Sequence, residues 1–69
     1  MNTAYYPPIC EDDHLALIEA AAADGGYVTF TVDTEDTERR YLTRLQGMYV
    51  VSRYVNATLG TITVVVRKT

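Results

Sequence analysis

Apolar and polar positions repeat with different periods along this chain, and each change of period marks an element. Residues 1–10 show no period. Pro7 and Pro8 beside Tyr5 and Tyr6 hold the backbone extended, so this segment reads as an N-terminal arm. From Glu11 the spacing turns helical. At 100° per residue, Leu15, Leu17, Ile18, Ala21 and Ala22 share a broad apolar face, and Glu19 and Ala23 fall opposite it. Glu11, Asp12 and Asp13 suit the positive end of the helix dipole, and Asp12 or Asp13 can cap free N–H groups. Gly25 or Gly26 supplies a left-handed stop, so the pattern predicts a helix over residues 11–23.

The period then drops to two. Val28, Phe30 and Val32 alternate with Tyr27, Thr29 and Thr31, which predicts a half-buried strand over residues 27–32. Helical spacing returns over residues 34–46. Asp33 or Thr34 is the expected cap, Glu35, Asp36 and Glu38 open the helix, and Arg44 lies in its last turn. Tyr41, Leu42 and Leu45 form its apolar stripe, and Gly47 ends it. A β-branched and aromatic run over residues 48–55 predicts a second strand. Residues 56–60 form a turn containing glycine, and residues 61–67 give a third strand, so the last two strands read as an antiparallel hairpin. The expected fold is α+β in the order α-β-α-β-β: two helices packed on one face of a small three-stranded antiparallel sheet. It makes a single domain over residues 11–69, with Leu15, Ile18, Phe30, Leu42, Leu45, Val51, Ile62 and Val64 as its core.

Sixty-nine residues allow one thin core and little room for an enclosed active site. One cysteine excludes an intramolecular disulfide. The first ten residues carry no basic residue and no apolar run, so they do not read as a signal peptide, and no stretch approaches a membrane span. The expected compartment is the cytoplasm. Tyr49 to Val51 and Val64 to Val66 are apolar on both strand faces, more than one thin core needs. A homodimer through a strand edge is therefore also expected.

Charge changes the picture most. The net charge is −3, yet all nine acids lie in residues 1–38 and all six bases in residues 39–69. The halves can fold against each other and pair their charges, or the basic half can form an interaction surface. Arg40 and Arg44, four residues apart, project together from the second helix beside Arg39. Arg53 lies on the second strand, and Arg67 and Lys68 end the third. Arginine's planar fork suits phosphate, and exposed tyrosine beside arginine suits protein binding, which singles out Tyr54.

Over residues 14–67 this order resembles a reduced winged-helix domain. The segment Leu15 to Ala22 matches its first helix, Tyr27 to Phe30 its small strand, Arg39 to Gln46 its recognition helix, and Tyr49 to Arg67 its wing hairpin. Winged-helix domains carry two helices between strand and hairpin, whereas residues 32–47 have room for one. The resemblance implies Arg39, Arg40 and Arg44 facing a DNA groove, with Arg53 and the 56–60 turn on the wing.

Other chemistry is weaker. Cys10, Asp12, Asp13 and His14 are metal-ligand types, but no second Cys or His completes a set. A Cys10–His14 thiol–imidazole pair would lack an oxyanion hole. Gly25-Gly26 lacks phosphate-loop spacing, and helix capping explains the acids from Asp33 to Glu38 better than a calcium loop does. The functional expectation is a non-catalytic nucleic-acid-binding regulator of transcription using the basic half. The second reading is an inhibitor or adaptor, encoded by a virus or mobile element, acting on a host protein through Tyr and Arg. Neither needs a cofactor, a metal, a small-molecule substrate or a membrane.

Overall fold

The computed structural model describes residues 10–69 in full and the backbone of Asn2 and Thr3. Its elements are β1 (Asn2–Thr3), α1 (Glu11–Ala22), β2 (Tyr27–Val32), α2 (Glu35–Arg44), β3 (Met48–Asn56) and β4 (Thr61–Lys68). Two helices on a sheet in the order α-β-α-β-β follow from the change between helical and period-two spacing. The sheet has one strand more than expected, in the order β1-β2-β4-β3. Asn2 and Thr3, assigned to the extended arm, pair parallel with Val28 and Thr29. The rest of that arm lies outside the described residues.

Local chemistry sets the boundaries. Thr34 caps α2, its Oγ1 accepting from the Thr37 N–H at 3.1 Å, so Thr34 and not Asp33 fills that role. Cys10 occupies the N-cap position of α1 without a side-chain cap, while Asp12 and Asp13 lie inside the first turn. α2 stops at Arg44, two residues early, and Gly47 turns the chain at φ 80°. At the hairpin tip, Asn56 Oδ1 accepts from the Leu59 N–H and the Asn56 carbonyl from the Gly60 N–H.

Val28, Phe30 and Val32 of β2 and Ile62, Val64 and Val66 of β4 point to one face. There they bury against Leu15, Ile18 and Ala22 of α1 and Tyr41 and Leu45 around α2. Inside this core His14 is fully buried, with Nδ1 2.8 Å from the Tyr41 hydroxyl and its ring edge-on to Phe30. Phe30 in turn stacks on Tyr41 at 5.6 Å. Two expected core positions differ, as does one residue of the apolar face expected for the first helix. Leu17 lies on the outer flank of α1 and is exposed, and Leu42 is only half-buried. Val51 sits at a β-bulge between Val50 and Ser52 and is exposed like the rest of the middle of β3, because the helices cover β2 and β4 instead.

Helical cover stops at β4. Directly opposite residues of paired strands share a face, so Val50, Arg53 and Val55 of β3 stand on the same side as Val66, Val64 and Ile62. On β4 those side chains are buried, whereas on β3 all three are exposed. Among the described residues, the other sheet face carries no helix.

Candidate interaction surface

Three of the arginines that a nucleic-acid surface would use turn inward onto carboxylates. Arg40 donates from Nε and Nη2 to Glu11 Oε1 at 3.3 and 3.0 Å. Arg44 reaches Glu11 Oε2 at 3.2 Å and Asp12 Oδ1 at 2.7 Å. The exposed side of α2 is thereby clamped to the first turn of α1. Arg53 holds Glu38 in a two-pronged pair of 2.6 and 2.9 Å, with Glu35 at 4.0 Å. Glu38 is buried, and the guanidinium fork supplies the charge-assisted hydrogen bonds that a buried carboxylate needs. Arg39 lies 3.8 Å from Asp36, both well exposed. Among the described residues, Arg67 and Lys68 are the cations without a carboxylate partner.

These pairs act on ionisation. Hydrogen bonds from Arg40 hold the Glu11 carboxyl below its ordinary 4.5, and Glu11 in turn raises Arg40. Asp12 foremost raises Arg44, and Glu38 foremost raises Arg53. A carboxyl lowered on folding stabilises the fold above its unfolded value, and that contribution disappears as pH falls through the lowered folded value. Glu11→Gln should therefore be modestly less stable than the parent at neutral pH, the pairs being exposed, and should converge on it below about pH 4.5, so that its stability–pH curve is flatter. Urea midpoints between pH 3 and 7 check this. A variant that loses stability as steeply in acid as the parent would refute a contribution from Glu11.

Charge is layered by element. All nine acids lie on α1, α2 or the residues beside them, and no strand carries one. Nine acids against Arg39, Arg40, Arg44 and Arg53 leave the helical layer at −5, and Arg67 and Lys68 bring the chain to −3. The uncovered sheet face is acid-free. Across it run Tyr27, Arg67 and Tyr49 in direct cross-strand register. The Arg67 guanidinium lies 5.1 Å from the Tyr27 ring centroid, a cation–π arrangement, and its Nη1 donates to the Tyr27 hydroxyl at 3.4 Å. Farther along stand Thr31, Thr63 and Tyr54, the two threonine hydroxyls 3.2 Å apart. Tyr27, Tyr49 and Tyr54 are all exposed.

The predicted site residues thus divide. Arg67 and Tyr54 share the open face, and Lys68 ends β4 beside it. Arg39, Arg40, Arg44 and Arg53 belong to the helical side. Tyr27 and Tyr49 complete the open-face row, although the sequence reading did not single them out. The signal was present: Tyr27 alternates with the core residues of β2, and two helices cover one face only.

The Cys10–His14 cluster disperses. Cys10 Sγ donates to Asp13 at 3.1 Å, Asp12 pairs with Arg44, and His14 points into the core. A groove of about 450 Å³ lies between α2 and β3, lined by Glu35, Glu38, Leu42, Val50 and Arg53, and its charged groups already pair with each other. Among the described residues no helix is long and apolar enough to cross a membrane. No protein-family model, curated protein or solved structure matches the chain.

Proposed function

We propose that this chain is a small non-catalytic protein-binding module, an adaptor or inhibitor, that meets its partner with the open face of the sheet. The observation that carries the reading is the acid-free row of Tyr27, Arg67 and Tyr49, with Tyr54 on the same face. Tyrosine and arginine dominate binding hot spots because they present large rigid surfaces that also hydrogen-bond. A pre-stacked Arg67 loses less freedom when a partner covers it.

Nucleic acid fits this surface less well. Phosphate binding scales with the number of cations brought to the backbone. Arg40, Arg44 and Arg53 would have to leave carboxylates that would then face the phosphates. Arg67 and Lys68 alone give a log–log salt slope of about −1.8, too few contacts for useful non-specific affinity.

The test combines two measurements. Fluorescence anisotropy with duplex and single-stranded oligonucleotides at ~20 mM salt, where phosphate contacts are strongest, should stay flat. A photo-crosslinking amino acid at Tyr27 should give a discrete adduct with a protein of the source cell. That adduct should disappear with Arg67→Glu and persist with Arg40→Glu plus Arg44→Glu. Anisotropy that rises and is abolished by the Arg40/Arg44 changes would replace this reading with the nucleic-acid one.

A further inference from the structure

The two edges of the sheet differ in kind. At one end β1 offers two residues, the sort of short edge that natural sheets use to prevent further pairing. At the other end β3 offers nine residues, with hydrogen-bonding groups on its outer side that no strand of the described residues meets. Among the described residues, six of the eight large exposed apolar side chains lie on β3 or its turn: Tyr49, Val50, Val51, Tyr54, Val55 and Leu59. Tyr54 is 63% exposed and Val55 52%. They point to both faces, so neither the chain's own helices nor a ligand on the open face would cover them all.

We infer that β3 is a self-pairing edge: a second copy of this chain adds antiparallel along residues 52–56, forming a continuous eight-stranded sheet. Three observations select a second copy. First, the edge is electrically silent toward a newcomer. Its one charge, Arg53, is held by Glu38 and Glu35, and the strand contains no acid, lysine or proline of the kind that guards edges. An acidic or basic segment would gain nothing there, whereas an identical edge meets no repulsion.

Second, the geometry closes. Antiparallel strands related by a two-fold axis keep their faces, so the axis stands perpendicular to the sheet and both helical layers lie on one side. The bulge at Val51 leaves residues 52–56 as the regular stretch. Its centre is Tyr54, which sets Tyr54 against its own copy and Arg53 against Val55. Centring on Arg53 would set like charges opposite each other. Third, Val55 stands half-exposed on the helix side of the sheet, and in this register it faces Arg53 of the second copy with that copy's Val55 diagonal to it, so each covers the other.

The seam shares Tyr54 with the proposed binding face, but Tyr27 and Arg67 lie away from it, and Val55 belongs to the opposite face, so sedimentation of the Val55 variant tests this inference apart from the protein-binding reading. Sedimentation equilibrium at ~100 μM, where a micromolar association is nearly complete, should return twice the 7.7 kDa chain mass. Val55→Lys should return the monomer mass with an unchanged far-UV spectrum, because Val55 takes no part in the core. In a Cys10→Ser background, Tyr54→Cys should form a disulfide-linked dimer with oxidised glutathione as oxidant, since opposed Cα atoms lie about 4.5–5.5 Å apart. An Ala16→Cys control on exposed α1 should not. A monomer mass at every concentration, a Val55→Lys variant that stays dimeric, or equal linking at residues 16 and 54 would each overturn the inference.

Discussion

Phe30→Ala should lower the stability of the domain by about 3–5 kcal/mol, the usual loss for removing a buried aromatic ring. Phe30 is 1% exposed at the centre of β2. One side of its ring stacks on Tyr41 from α2, and His14 from α1 meets it edge-on. It is therefore the side chain on which sheet and both helices converge, and no neighbour can fill the space without moving an element. At roughly 0.05–0.15 kcal/mol per residue, a chain of 69 residues has about 3.5–10 kcal/mol in all, so the loss takes a third of it or more. Urea unfolding followed by far-UV circular dichroism should find the midpoint sharply lowered. An unchanged midpoint would show that the three elements do not meet at Phe30.

Tyr41→Phe should cost about 1–3 kcal/mol, for a different reason. The phenyl ring stays and keeps its stacking on Phe30, and only the hydroxyl 2.8 Å from His14 Nδ1 is lost. A buried polar atom deprived of a partner carries its full desolvation penalty. His14→Leu should cost less in the Tyr41→Phe background than in the parent, because their shared hydrogen bond can be lost only once. The coupling in this double-mutant cycle should be 0.5 kcal/mol or more in magnitude, typically about 0.5–3. Strictly additive losses would mean that the two groups do not act on each other.

The sequence showed elements well and their surroundings poorly. Period-two spacing placed Val28, Phe30, Ile62 and Val64 correctly, because alternation along a strand is a local property of the backbone. The same reasoning misjudged Val51. Residues 48–55 have the composition of a central strand, but burial there depends on where the strand sits in the sheet. Two short helices reach as far as β4, and nothing within residues 48–55 records that. The ion pairs were hidden for a similar reason. Glu11 lies 29 residues before Arg40 and Glu38 lies 15 before Arg53, so their meeting is a product of topology. The separation of acids from bases along the chain was the trace of those pairings. His14 stood out only as a metal-ligand type beside Cys10, since its partner Tyr41 comes from the other helix.

The inequality of the two sheet edges bears on how far such an assembly can grow. A strand edge that recruits its own kind ordinarily threatens open-ended polymerisation, as each added copy presents a fresh edge to the next. Here β3 meeting β3 consumes the long edge of both chains and leaves a two-residue β1 at either rim. Because the pairing is two-fold, neither molecule keeps a free β3 for a third, so growth through this edge terminates at two, and the stickiest segment of the chain is sequestered and not propagated.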